Sequence, residues 1–97
     1  MSAHRVHLDA YLCFFLEGDG GPKYPVGDAN RSLLFRFAGD DRDFGAIVSE
    51  VAHPIPAGST GVAKLEFLVG EASDVARDGA LFEVRLGPRL IGIGRLA

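Results

Sequence analysis

The sequence predicts an all-β protein, a small closed antiparallel β-barrel of about six strands. Three observations predict it. Runs of alternating apolar and polar residues recur along the chain at the two-residue period of a half-buried strand. Thirteen glycines and five prolines in 97 residues indicate many short turns. No amphipathic helix is present to cover a sheet, so the strands must bury their apolar faces against one another, and closure removes exposed edges. A chain of 97 residues supports one core, so residues 1–97 are expected to form a single domain.

The elements follow in order. In residues 6–16 (VHLDAYLCFFL), Val6, Leu8, Ala10, Leu12 and Phe14 face one way and His7, Asp9, Tyr11 and Cys13 the other, giving a long first strand. Glu17 to Asp28 is rich in glycine and proline and has no periodicity, so it reads as an extended loop running on to Asn30, either functional or mobile. Residues 32–38 (SLLFRFA) place Leu33, Phe35 and Phe37 on an aromatic core face, with Leu34 and Arg36 opposite. Gly39 to Asp43 is a charged turn. Residues 45–52 (GAIVSEVA) form the next strand, ended by His53-Pro54-Ile55-Pro56 because proline cannot donate to a central ladder.

After a turn at Pro56 to Ser59, residues 62–69 (VAKLEFLV) point Ala63, Leu65, Phe67 and Val69 inward and Lys64, Glu66 and Leu68 outward, and Gly70 closes the strand. Glu71 to Gly79 is the one stretch that admits helical turns, and Asp78-Gly79 is a turn signal. Residues 81–96 (LFEVRLGPRLIGIGRL) then predict a closing hairpin about Gly87-Pro88. Phe82, Val84 and Leu86 share one face against Glu83 and Arg85, and Ile91 and Ile93 share one against Gly92 and Gly94. Alternate glycines leave backbone uncovered. A crossing strand, a bulky cross-strand neighbour or a ligand must lie there, and strand glycine in general favours the first two.

Charge and composition narrow the functional classes. Ten basic residues against thirteen acidic give a net charge of −3, without the positive excess that supplies sequence-independent affinity for nucleic acid. Cys13 stands alone, so no internal disulfide forms, and no leader pattern opens the chain, which leads us to expect a cytosolic protein. No apolar run approaches the roughly 18 residues of a membrane span. His4, His7 and Asp9 suggest a metal cluster by proximity, but His4 and His7 point to opposite faces of a strand. Cys13 and His7 share a face yet lie roughly 20 Å apart, too far for proton transfer. Asp40, Asp41 and Asp43 lack the remaining ligands of an EF-hand loop, and His53 is a strand-end residue before proline. Neither a catalytic centre nor a metal or cofactor is therefore expected. Arg36, Arg85, Arg89 and Arg95 either gather into a surface for carboxylates or phosphates or pair with Glu50, Glu66 and Glu83 across strands.

Asp78 to Arg85 (DGALFEVR) followed by Gly87 to Gly94 (GPRLIGIG) resembles the closing strands of the C-terminal β-barrel domain of elongation factor Tu. That family runs there as an acidic-Gly turn, an apolar strand, Gly-Gly-Arg and a Gly-x-Gly strand. Upstream, Gly20-Gly21, Tyr24-Pro25 and Leu34-Phe35-Arg36 look like that domain's Gly-Gly loop, aromatic-proline segment and Tyr-Phe-Arg strand, and Pro56-Ala57-Gly58 sits at its Pro-Gly-Asp turn. The likeness spans nearly the whole chain in consistent order.

In the family this barrel packs against a GTPase domain, helps bind the exchange factor and touches the T stem of aminoacyl-tRNA. The phosphate loop GxxxxGK[ST] is absent from these residues, so the resemblance carries no GTP binding over. Ser32 and Phe44 stand where the family has polar tRNA contacts, and the hairpin tip carries Leu86 and Pro88 where the family has glutamate and glycine. Gly87 and Arg89 keep the family identity. The resemblance thus implies a binding module acting through protein contacts at Arg36, Gly87, Pro88, Arg89 and the Gly20–Asp28 loop, a mimic of or competitor with the factor's barrel. The alternative it implies is a small accessory tRNA-binding protein retaining part of the T-stem surface.

Overall fold

A computed structural model of the chain describes residues 6–27, 32–67 and 77–97. His4, Asp28 to Asn30, the outer end of the predicted 62–69 strand and the stretch admitting helical turns before Arg77 lie outside the described residues. Six strands form among those described: β1 (Val6–Phe14), β2 (Ser32–Phe37), β3 (Phe44–Val51), β4 (Thr60–Phe67), β5 (Leu81–Leu86) and β6 (Arg89–Leu96). They pair antiparallel in the order β1-β4-β3-β2-β5-β6 and β6 returns to β1, closing a barrel. Strands β2, β3 and β4 are a meander with β1 laid beside β4, a Greek-key arrangement. The fold class is the one the alternation predicts.

Each strand buries the face its period-two pattern marks. Ala10, Leu12 and Phe14 of β1, Leu33, Phe35 and Phe37 of β2, and Ala63, Leu65 and Phe67 of β4 are all buried, while His7, Asp9, Tyr11 and Cys13 are exposed. Rings fill the centre. Phe35 meets Phe67 and Phe82 edge-on at 5.6 and 5.3 Å between centroids, and Phe37 meets Phe44 and Phe82 the same way at 6.0 and 5.6 Å. Edge-to-face pairs of this kind add about 0.5–1.5 kcal/mol each beyond the area they bury. Phe44, one residue before the expected strand start at Gly45, is the buried first residue of β3. It stands opposite Phe35, because its ring continues the aromatic face across the turn.

One end of the barrel is sealed by loops. Val26 and Ile55 exchange backbone hydrogen bonds of 2.9 and 2.8 Å, and both side chains are buried together with Pro22. Ile55 lies over Gly61, where a side chain would collide with it. The Glu17–Asp28 loop, as far as Gly27, is therefore a plug built on a short 3-10 turn (Glu17–Asp19) rather than free chain.

The closing hairpin departs from simple alternation at one residue. Val84 pairs with Gly92 but Arg85 pairs with Leu90, so β6 carries an extra residue at Ile91. The bulge turns Ile91 and Gly92 both inward and sends Ile93 outward, correcting the expectation that the two isoleucines share a face. The glycines are covered by the protein itself. Gly94 lies opposite Phe82, whose ring occupies the place of its side chain, and a Cβ on Gly92 would stand 2.6 Å from the Cys13 carbonyl oxygen and 3.1 Å from the Phe14 Cα. Bulky cross-strand and neighbouring-strand groups, not a ligand, account for the Gly-x-Gly pattern.

Gly92→Ala should therefore lower the urea midpoint by about 1–3 kcal/mol of stability at unchanged slope, since the obstructing atoms are backbone. Gly18→Ala, where a Cβ meets nothing within 4 Å, should stay within about 0.5 kcal/mol of the parent. Equal effects in the two would contradict this packing.

Candidate functional site

The interior described is filled by apolar side chains, so the polar side chains lie on the outside of the barrel. No polar or charged residue is buried among the described residues, and no group of three His, Cys, Asp or Glu side chains among them converges to hold a metal ion. No helix among them is long and apolar enough to cross a membrane.

The hairpin tip is a two-residue turn between Leu86 and Arg89, with Gly87 at φ 61° followed by the ring-constrained Pro88. A positive then a negative φ is the sign pattern of the II′ turn that suits a twisted hairpin. Arg85 braces the tip. Its guanidinium donates to Glu83 Oε1 at 2.7 and 3.2 Å and reaches the Pro88 carbonyl at 3.5 Å. Arg89 is exposed and has no carboxylate partner among the described residues.

Arg36 lies elsewhere. It stands opposite Glu83 in the β2–β5 ladder, three positions along β5 from Leu86 and two strands across from β6, about 10 Å in each direction. Arg36 and Arg89 thus stand on different rows and on strands that are not neighbours. Arg36 holds Asp43 with a two-pronged contact, Nε to Oδ1 at 2.8 Å and Nη2 to Oδ2 at 3.1 Å. That contact raises the Arg36 pKa and lowers that of Asp43.

The four arginines do not gather either. Arg85 takes Glu83 and Arg36 takes Asp43, while Lys64 and His7, not arginines, approach Glu50 and Glu66 at 3.5 and 3.7 Å. Arg95 lies over Tyr11 in a cation–π contact, its guanidinium carbon 5.2 Å from the ring centre.

The acidic turn is closed on itself. Asp40 accepts from the Arg42 backbone N–H at 2.8 Å and from its guanidinium at 3.0 and 2.8 Å. A shallow cavity of about 260 Å³ lies between this turn and Arg36, Leu81 and Glu83.

The least anticipated surface is apolar. Tyr11, Val62, Leu81 and Ile93 are 42, 56, 59 and 50 % exposed, and they come from four neighbouring strands. Tyr11 pairs with Val62 on one side and Arg95 on the other, and Arg95 pairs with Leu81. Cys13 is flanked in the same way by Thr60 and Ile93. A dent of about 290 Å³ opens on this face between Tyr11, Cys13, Thr60, Leu81, Ile93 and Arg95. The sequence signal for it was an apolar residue on each polar face, visible at Tyr11 but concealed at Ile93 by the bulge.

Arg42 holds the Asp40 pKa down to about 2 through its side chain first and its backbone N–H second. A folded value below the ordinary 3.8 means that the contribution of Asp40 to stability is present above that pH and is lost as pH falls through about 2. Carboxyl-carbon NMR should show Asp40 titrating near 2, and Arg42→Ala should raise it toward the ordinary 3.8 without reaching it, because the backbone N–H bond at residue 42 remains. An unchanged titration in the variant would contradict the clamp.

Among known proteins, the chain matches no family model and no curated sequence.

Proposed function

We propose that this chain is a binding module that works through protein contacts on the outside of its barrel, and that it resembles the C-terminal barrel of elongation factor Tu closely enough to compete for something that recognises that barrel. The observation that carries the protein-contact reading is the exposed apolar face of Tyr11, Val62, Leu81 and Ile93 on adjacent strands. Contiguous apolar surface of this kind marks interaction sites when it is rimmed by polar groups, as Asp9, Lys64 and Glu83 rim it here. The ordered series of family-like motifs supports the elongation-factor version, with Gly87 and Arg89 at the exposed tip as its contact residues.

The tRNA-binding reading is less well supported. Arg36, Arg42 and Arg85 are engaged with carboxylates, so phosphate contacts would have to displace internal pairs in a chain of net charge −3.

Two measurements follow. Purified full-length chain added to immobilised elongation factor Tu and its exchange factor should reduce exchange-factor capture in a dose-dependent way, and no reduction would sink the competitor version. Filter retention of tRNA should be weak at low salt, whereas tight retention that falls steeply as salt rises would favour the RNA reading instead.

A further inference from the structure

Arg95 is the one cation in an outward row otherwise made of Val62, Tyr11 and Leu81. Its guanidinium lies over the Tyr11 ring, and no carboxylate among the described residues pairs with it. A cation–π contact with the ring uses no hydrogen-bond acceptor, so the N–H fork can still meet a carboxylate. Val62 and Leu81 end the row that contains Tyr11 and Arg95, and Cys13 and Ile93 lie in the next row across the dent of about 290 Å³.

We propose that this face docks a short segment of a partner protein in which apolar side chains flank a carboxylate, the carboxylate meeting Arg95. The inference rests on the protein-contact reading above and gives that contact a place and a chemistry. Charge complementarity selects the carboxylate, because Arg95 is the one cation in the apolar row and no carboxylate among the described residues takes its donors. Tyrosine and arginine packed among aliphatic groups are also the side chains that dominate binding energy at interfaces.

Size selects a short segment. Four half-exposed apolar side chains give a patch of a few hundred Å², well under the roughly 800 Å² that each partner buries in a standard complex. A second copy of this chain fits poorly for the same reason, since a stable dimer buries the larger area.

The test titrates the ¹⁵N-labelled full chain with a capped leucine–aspartate–leucine peptide and with its asparagine counterpart. Amide shifts should cluster at Tyr11, Cys13, Leu81, Ile93 and Arg95, and the asparagine peptide should bind about tenfold more weakly. Arg95→Gln, at an exposed position that leaves the unfolding midpoint in place, should make the two peptides equivalent. Equal affinity for both peptides in the parent chain, shifts centred on Leu86 to Arg89, or no shift at millimolar peptide would overturn the proposal. Self-association abolished by Ile93→Ser would overturn it as well, assigning the face to a second copy. Partner capture that survives both Arg95→Gln and Ile93→Ser removes this docking surface alone, whereas absence of any protein partner for the parent chain removes the protein-contact reading with it.

Discussion

Barrel closure depends on the two positions of β6 that carry no side chain. Phe15 N–H donates to the Ile91 carbonyl and Ala97 N–H to the Asp9 carbonyl, so by alternation Phe14–Gly92 and Leu12–Gly94 are the non-hydrogen-bonded pairs. In such pairs the Cα atoms approach to about 4.5 Å. A side chain on either glycine would meet Phe14 and the Cys13 carbonyl, or the Phe82 ring and the Tyr11 carbonyl. Without one, β6 lies flat against β1, and Phe82 folds over the bare backbone to join Phe35 and Phe37 in the core. The aromatic cluster and the seam between first and last strands are one structural event.

Most of the fold was legible because burial in a barrel follows the simplest rule a sequence can carry. Leu33, Phe35 and Phe37, or Ala63, Leu65 and Phe67, announce their face by alternation alone, and the structure buries all six. What escaped were features that depend on tertiary contacts. The bulge at Ile91 reverses the outward set of β6, and no local propensity marks it. Phe44 sits beside a charged turn in sequence and enters the core only because Phe35 lies opposite. The plug formed by Pro22, Val26 and Ile55 joins segments far apart in the chain, so a glycine-proline loop that looked free is pinned.

The candidate surface was harder to foresee than the core. Charged residues drew attention to Arg36 and Arg89, yet pairing decides what a charge can do, and Asp43 already occupies Arg36. Arg95 looked ordinary in sequence and became distinctive once the register set Tyr11 on one side of it and Leu81 on the other. Among the described residues no polar or charged side chain is buried, and the exposed apolar face lies along the seam that the glycines permit. Fold and proposed function share one cause.

A NOESY spectrum of the full chain in D₂O tests that cause most directly. The closed barrel predicts strong cross-peaks between the α-protons of Leu12 and Gly94, with a Gly94 α-proton moved upfield by the Phe82 ring. Absence of that cross-peak, with the β5–β6 hairpin contacts still present, would mean an open sheet and would contradict the account.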